Sequence, residues 1–130
     1  MAGMANKITG VGTVMVTVAD RDRAIDFFVN KLGFEKRTDV VFGEGEAERW
    51  VEVAAPGSAT AISLVPPRGD AQPGVWTGIA FTTQDVHGDH AALSDRGIAV
   101  QEIMGGDGPV PEMFWFTDPE GNSYLNVARQ

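Results

Sequence analysis

A chain of 130 residues is one domain's worth and can bury a real core unaided. It has no cysteine, which excludes disulfides, thiol catalysis and thiolate metal sites, and its net charge of -8 argues against nucleic-acid and anionic-membrane partners. No apolar run approaches the roughly 20 residues that span a bilayer, and residues 1–8 lack a signal-peptide pattern, so the composition reads as an acidic, soluble, cytoplasmic domain.

After a loose start over residues 1–7, Val11 to Val18 alternates as a strand, with Val14, Val16 and Val18 on one face and Thr13, Met15 and Thr17 on the other. Asp20 is a helix N-cap, Ala24, Phe27, Phe28 and Leu32 share a helical face, and Gly33 is the stop, which predicts a helix over 21–32. Strands follow at Glu35 to Phe42, Glu48 to Val53 and Thr60 to Val65, separated by the Gly43-Glu-Gly45 and Pro56-Gly57 turns. Residues 67–73 read as a Pro-rich linker.

The order then starts again. Thr77 to Thr83 is a strand, Asp85 caps a helix over 86–95 that stops before Gly97, and Ala99 to Met104 is a strand leading into a Gly-rich loop. Met113 to Phe116 and Ser123 to Val127 flank the Asp118-Pro-Glu-Gly-Asn122 turn as a hairpin. Asp20 matches Asp85 at an offset of 65, Gly33 matches Gly97 at 64, and Pro56 matches Pro119 at 63. A slowly drifting offset is what a diverged duplication leaves. The expected fold is α+β, one domain of two tandem βαβββ units over 8–66 and 74–130, with curved sheets forming a cleft.

Val16-x-Val18-x-Asp20, Phe27-Phe28-x-x-x-Leu32-Gly33-Phe34 and Phe116-x-Asp118-Pro119-Glu120-Gly121-Asn122 resemble the vicinal oxygen chelate superfamily. It includes glyoxalase I, bleomycin-resistance proteins, extradiol dioxygenases and fosfomycin-resistance enzymes. The resemblance spans roughly Ile8 to Val127, and it implies a fold more than any one activity. In enzymes of the superfamily, His, Gln or Glu side chains hold a divalent metal at the cleft centre, one from the first strand and one from the last strand of each unit. The matching positions here are Thr13, Ser63, Gly78 and Leu125, which offer two neutral hydroxyls at most. No metal cofactor is therefore expected; the alternative is one divalent ion. His87 and His90, at i and i+3 on the second helix, read as surface residues, the other reading being an adventitious zinc site.

Alternation aims Thr13, Met15, Trp50, Glu52, Ser63, Met113, Trp115 and Leu125 at the cleft, and these are the expected ligand contacts. Trp50 and Trp115 suit a planar ligand, or else complete a core or dimer contact. Glu52 is the candidate catalytic base, against the plainer reading that it meets Arg49 or another Arg. The functional expectation is a metal-free protein of the bleomycin-resistance type, a homodimer that holds an aromatic or amphipathic small molecule, with antibiotic sequestration as one use. The alternative is a glyoxalase-like lyase or isomerase, or a dioxygenase, using a metal or Glu52.

Overall fold

In a computed structural model, residues 5–129 are described; residues 1–4 of the expected loose start, and the last residue of the expected second unit, lie outside them. Two four-stranded mixed sheets form, with strand orders β1-β4-β3-β2 and β5-β8-β7-β6. The strands are β1 (Thr13–Thr17), β2 (Glu35–Phe42), β3 (Glu48–Ala54), β4 (Ala61–Val65), β5 (Trp76–Thr83), β6 (Ala99–Val100), β7 (Met113–Thr117) and β8 (Ser123–Ala128). Helices α1 (Arg21–Asp26) and α2 (Val86–Asp95) follow the first strand of each unit. In both units the first strand pairs parallel to the last and the others pair antiparallel, so the fold is α+β and the two sheets share one topology.

The caps fall where the sequence puts them. The Asp20 carboxylate accepts from the Arg23 N–H at 3.0 Å, and that of Asp85 from the Gly88 N–H at 2.9 Å. The expected helix over 21–32 is not uniform, however. After Asp26 the chain widens into a π-helical turn, Phe27–Lys31, closed by the Leu32 N–H on the Phe27 carbonyl at 3.0 Å. The wider turn lets the consecutive Phe27 and Phe28 both reach the core, at 2 % and 0 % exposure. The expected strand from Ala99 to Met104 is also shorter. Its register against β7 slips after Gln101, and only the Met104–Met113 bridge resumes it.

One core serves both units. Val16, Val18, Val51, Val53, Ile62 and Leu64 come from the first sheet, and Phe114, Phe116 and Tyr124 from the second. Val14, Ile79 and Phe81 pack against it half-buried. Rings interlock across the unit boundary: Phe28 meets Tyr124 edge-on at 5.8 Å, and Phe34 meets Phe81 at 5.4 Å.

The Asp118–Asn122 turn is a polar clasp across the same boundary. Asp118 accepts from the Glu120 and Asn122 N–H groups, from the Asn122 carboxamide and from the Tyr124 hydroxyl. Burial, then the Asp118 carboxylate, push the Tyr124 phenol well above its usual range. The Glu120 carboxylate accepts the Ala19 and Asp20 N–H groups ahead of α1. Among the described residues no helix is long and apolar enough to cross a membrane.

Candidate functional site

Because the two sheets bury their helix-bearing faces against one core, their other faces point outward, away from that core. Register partners share a face, so the outward face can be read across each sheet. On the first sheet one row runs Thr38, Glu52, Ser63, Met15. Trp50 lies beside it, opposite Val40. On the second sheet the equivalent row is Trp115, Leu125, Ala80, flanked by Thr117, Ser123 and Trp76. Met15 is 66 % exposed and Trp76 69 %, so neither face is covered within the chain.

The first face is polar. The Thr13 and Ser63 hydroxyls bond each other at 2.7 Å, and Ser63 is fully buried between its longer register neighbours Met15 and Glu52. Glu52 accepts from the Thr38 hydroxyl at 3.2 Å. It does not meet Arg49, which lies on the next residue position but one along β3 from Val51 and turns to the other face. There Arg49 holds Asp39 through two hydrogen bonds of 2.8 Å and Asp22 through one of 2.9 Å. That bidentate grip holds the Asp39 carboxyl well below the usual carboxylate range.

The second face is aromatic. Trp76 and Trp115 meet with ring centroids 6.0 Å apart and planes at 69°. A pocket of about 390 Å³ lies against them, lined also by Gln101, Thr117 and Ser123. The strand begins at Trp76, one residue before the Thr77 start that the sequence pattern predicts, which brings Trp76 onto this face. Its parity with Gly78 and Ala80 was the signal. The register explains the rest: from Trp76 to Ala80 the strand covers four residues against two in β8, a bulge that preserves the parity of the side chains. Gly78 sits in that bulge at φ +75°, a backbone conformation that side-chain-bearing residues adopt only under strain.

The sequence-derived contacts thus divide between two faces. Thr13, Met15, Trp50, Glu52 and Ser63 lie on the first sheet, and Met113, Trp115 and Leu125 on the second. Trp50 and Trp115 are not neighbours, and Trp115 has Trp76 beside it instead. His87 bonds Glu112 at 2.8 Å and His90 bonds the Gln101 carbonyl at 2.8 Å, both from α2 on the core side of the second sheet. The four positions matched to the superfamily's metal ligands do not fit a divalent metal. Thr13 and Ser63 spend their hydroxyls on each other, Gly78 lies in a bulge without a side chain, and Leu125 has no donor atom. Among the described residues, no group of three His, Cys, Asp or Glu side chains is placed to hold a metal ion.

The sequence profile of the Glyoxalase/Bleomycin resistance protein/Dioxygenase superfamily matches residues 10–124. The chain belongs to this superfamily. It is 31 % identical over 126 residues to the uncharacterized protein YetH of Bacillus subtilis, covering 91 % of this chain and 97 % of that one. A superfamily member from Sphaerobacter thermophilus has a similar structure, with a TM-score of 0.86 at 33 % identity, covering 94 % of this chain and 98 % of that one. TnmS3, an antibiotic binding protein from a Streptomyces species, superposes with a TM-score of 0.81 at 32 % identity, covering 98 % of this chain and all of its own. As a superfamily member, the chain carries the paired-unit fold, with both outward sheet faces uncovered.

Proposed function

We propose that the protein binds a planar aromatic or amphipathic small molecule, without a metal, in clefts completed by a second copy of the chain. The observation that carries this reading is the Trp76–Trp115 pair, an uncovered aromatic corner against a pocket of about 390 Å³. Two indole faces at an angle offer large, rigid contact area at little cost in conformational entropy. The likeness to TnmS3 supports the same reading, since that protein is an antibiotic binding protein. Sequestration of such a compound is the corresponding cellular role.

Geometry argues for the second copy. Both outward faces turn away from the one shared core, and neither is covered within its own chain. A partner related by two-fold symmetry sets the first sheet of one copy against the second sheet of the other, twice. Among the described residues, the first strand of each unit, β1 or β5, lies at a sheet edge. Those edges flank a groove of about 960 Å³ between the units, where Val14, Ile79 and Phe81 are only half-buried. Pairing β1 of one copy with β5 of its partner would satisfy both edges and cover the groove.

The metal-free part of the proposal rests on the donor set at Thr13, Ser63, Gly78 and Leu125. Titration of chelator-treated protein with a planar aromatic compound, followed by tryptophan fluorescence, tests it. Saturable quenching in the chelated protein, much weakened in Trp115→Ala, is expected. Quenching that requires added metal, or that is unchanged in Trp115→Ala, would refute the reading.

A further inference from the structure

Building on the binding reading above, we infer that Glu52 makes the site selective for cationic aromatic ligands. The two units have diverged in chemistry at equivalent positions. Across the centre of the first outward face the register sets Glu52, Ser63 and Met15 side by side; across the second it sets Trp115, Leu125 and Ala80. Thus a carboxylate stands in one unit where an indole stands in the other. A cleft that opposes the two faces has one aromatic wall and one wall of carboxylate and hydroxyls. The second face offers no charged side chain along β5, β7 or β8 in these rows, so a ligand's ring and its polar group are directed to different walls.

Glu52 is free to serve in this way. Its described hydrogen bond comes from the Thr38 hydroxyl, and among the described residues it takes part in no ion pair. Arg49, the nearest arginine in sequence, is held on the opposite face by Asp39 and Asp22. A carboxylate without a counter-ion, on a partly buried surface, gains most from a ligand that brings the cation with it. The ligand class is therefore a planar ring system bearing an ammonium, amidinium or protonated ring nitrogen.

Two three-ring dyes of similar footprint separate charge from stacking: proflavine, a cation, and acridone, which is neutral. The native protein is expected to bind proflavine about tenfold more tightly, the scale of one charge-assisted hydrogen bond. Glu52→Gln is expected to abolish that preference. Asp95→Asn, which removes the same charge from the exposed end of α2, is expected to keep it. Trp115→Ala is expected to weaken both dyes. Equal affinities in the native protein, a preference that survives in Glu52→Gln, or one lost equally in Asp95→Asn would overturn the charge inference while leaving the binding reading intact. If neither dye binds, or Trp115→Ala changes neither affinity, the binding reading falls and takes the inference with it.

Discussion

The Asn122 carboxamide donates to the Thr17 carbonyl at 3.1 Å, tying the turn that precedes the last strand to the strand that opens the chain. The same side chain accepts from the Gly74 and Val75 N–H groups at 2.8 and 3.2 Å, and it is fully buried. Three segments distant in sequence are thus fixed by one amide. Asn122→Ala would take the carboxamide away from two part-buried donors, the Gly74 and Val75 N–H groups, and from the Thr17 carbonyl and Asp118 carboxylate. We expect a loss of about 2–4 kcal/mol of stability, read by urea denaturation. A loss within experimental error of zero would show that water replaces the amide.

Much of this frame was legible in the sequence because its signals are local. Asp20 and Asp85 cap, Gly33 and Gly97 stop, and valines alternate; each acts within a few residues of itself. The Asp118–Asn122 turn was legible as a turn, but its role as a clasp was not, since Thr17 and Ala19 lie about a hundred residues away. The π-turn at Phe27 was hidden because a helical pattern does not state how two adjacent phenylalanines both find the core. The site was half-legible. Strand parity placed Trp115 and Glu52 on outward faces, but only three-dimensional packing shows that those faces belong to two separate sheets, each left uncovered within the chain.

Gly78→Ala places a side chain at φ +75° in the bulge that carries Trp76. Open space surrounds the added carbon, so the cost is backbone strain alone, about 1–2 kcal/mol. We expect a modest drop in Tm together with a change in tryptophan emission as the Trp76–Trp115 contact loosens. A drop in Tm with an unaltered emission spectrum would show that the bulge does not position Trp76.

The Asp39–Arg49 pair makes an acid-side prediction. Asp39 has its pKa lowered in the folded protein, first by the hydrogen bonds from Arg49. Its contribution is therefore complete above the unfolded value, about pH 4, and is lost as pH falls toward the lowered folded value. Asp39→Asn is expected to cost about 1 kcal/mol near neutrality, as for a well-formed bidentate pair. The difference from native protein is expected to shrink steadily below about pH 4. A difference that grows with acidity would contradict the sign of the coupling.

Assembly is tested by sedimentation. The two uncovered faces and the β1 and β5 edges lead us to expect a dimer at micromolar concentration. Charge placed on the β1 edge, as in Val14→Asp, is expected to shift it toward monomer. Native protein that sediments as a monomer at every concentration would remove the partner from the proposed cleft.

The most direct measurement is a crystal structure of the protein with proflavine bound. The dye is expected to stack on Trp115 and Trp76 of one copy, its charged edge turned toward Glu52 of the other, with no metal between Thr13, Ser63, Gly78 and Leu125. Dye seated in the groove between the units of one chain, or held through a metal at those four positions, would contradict it.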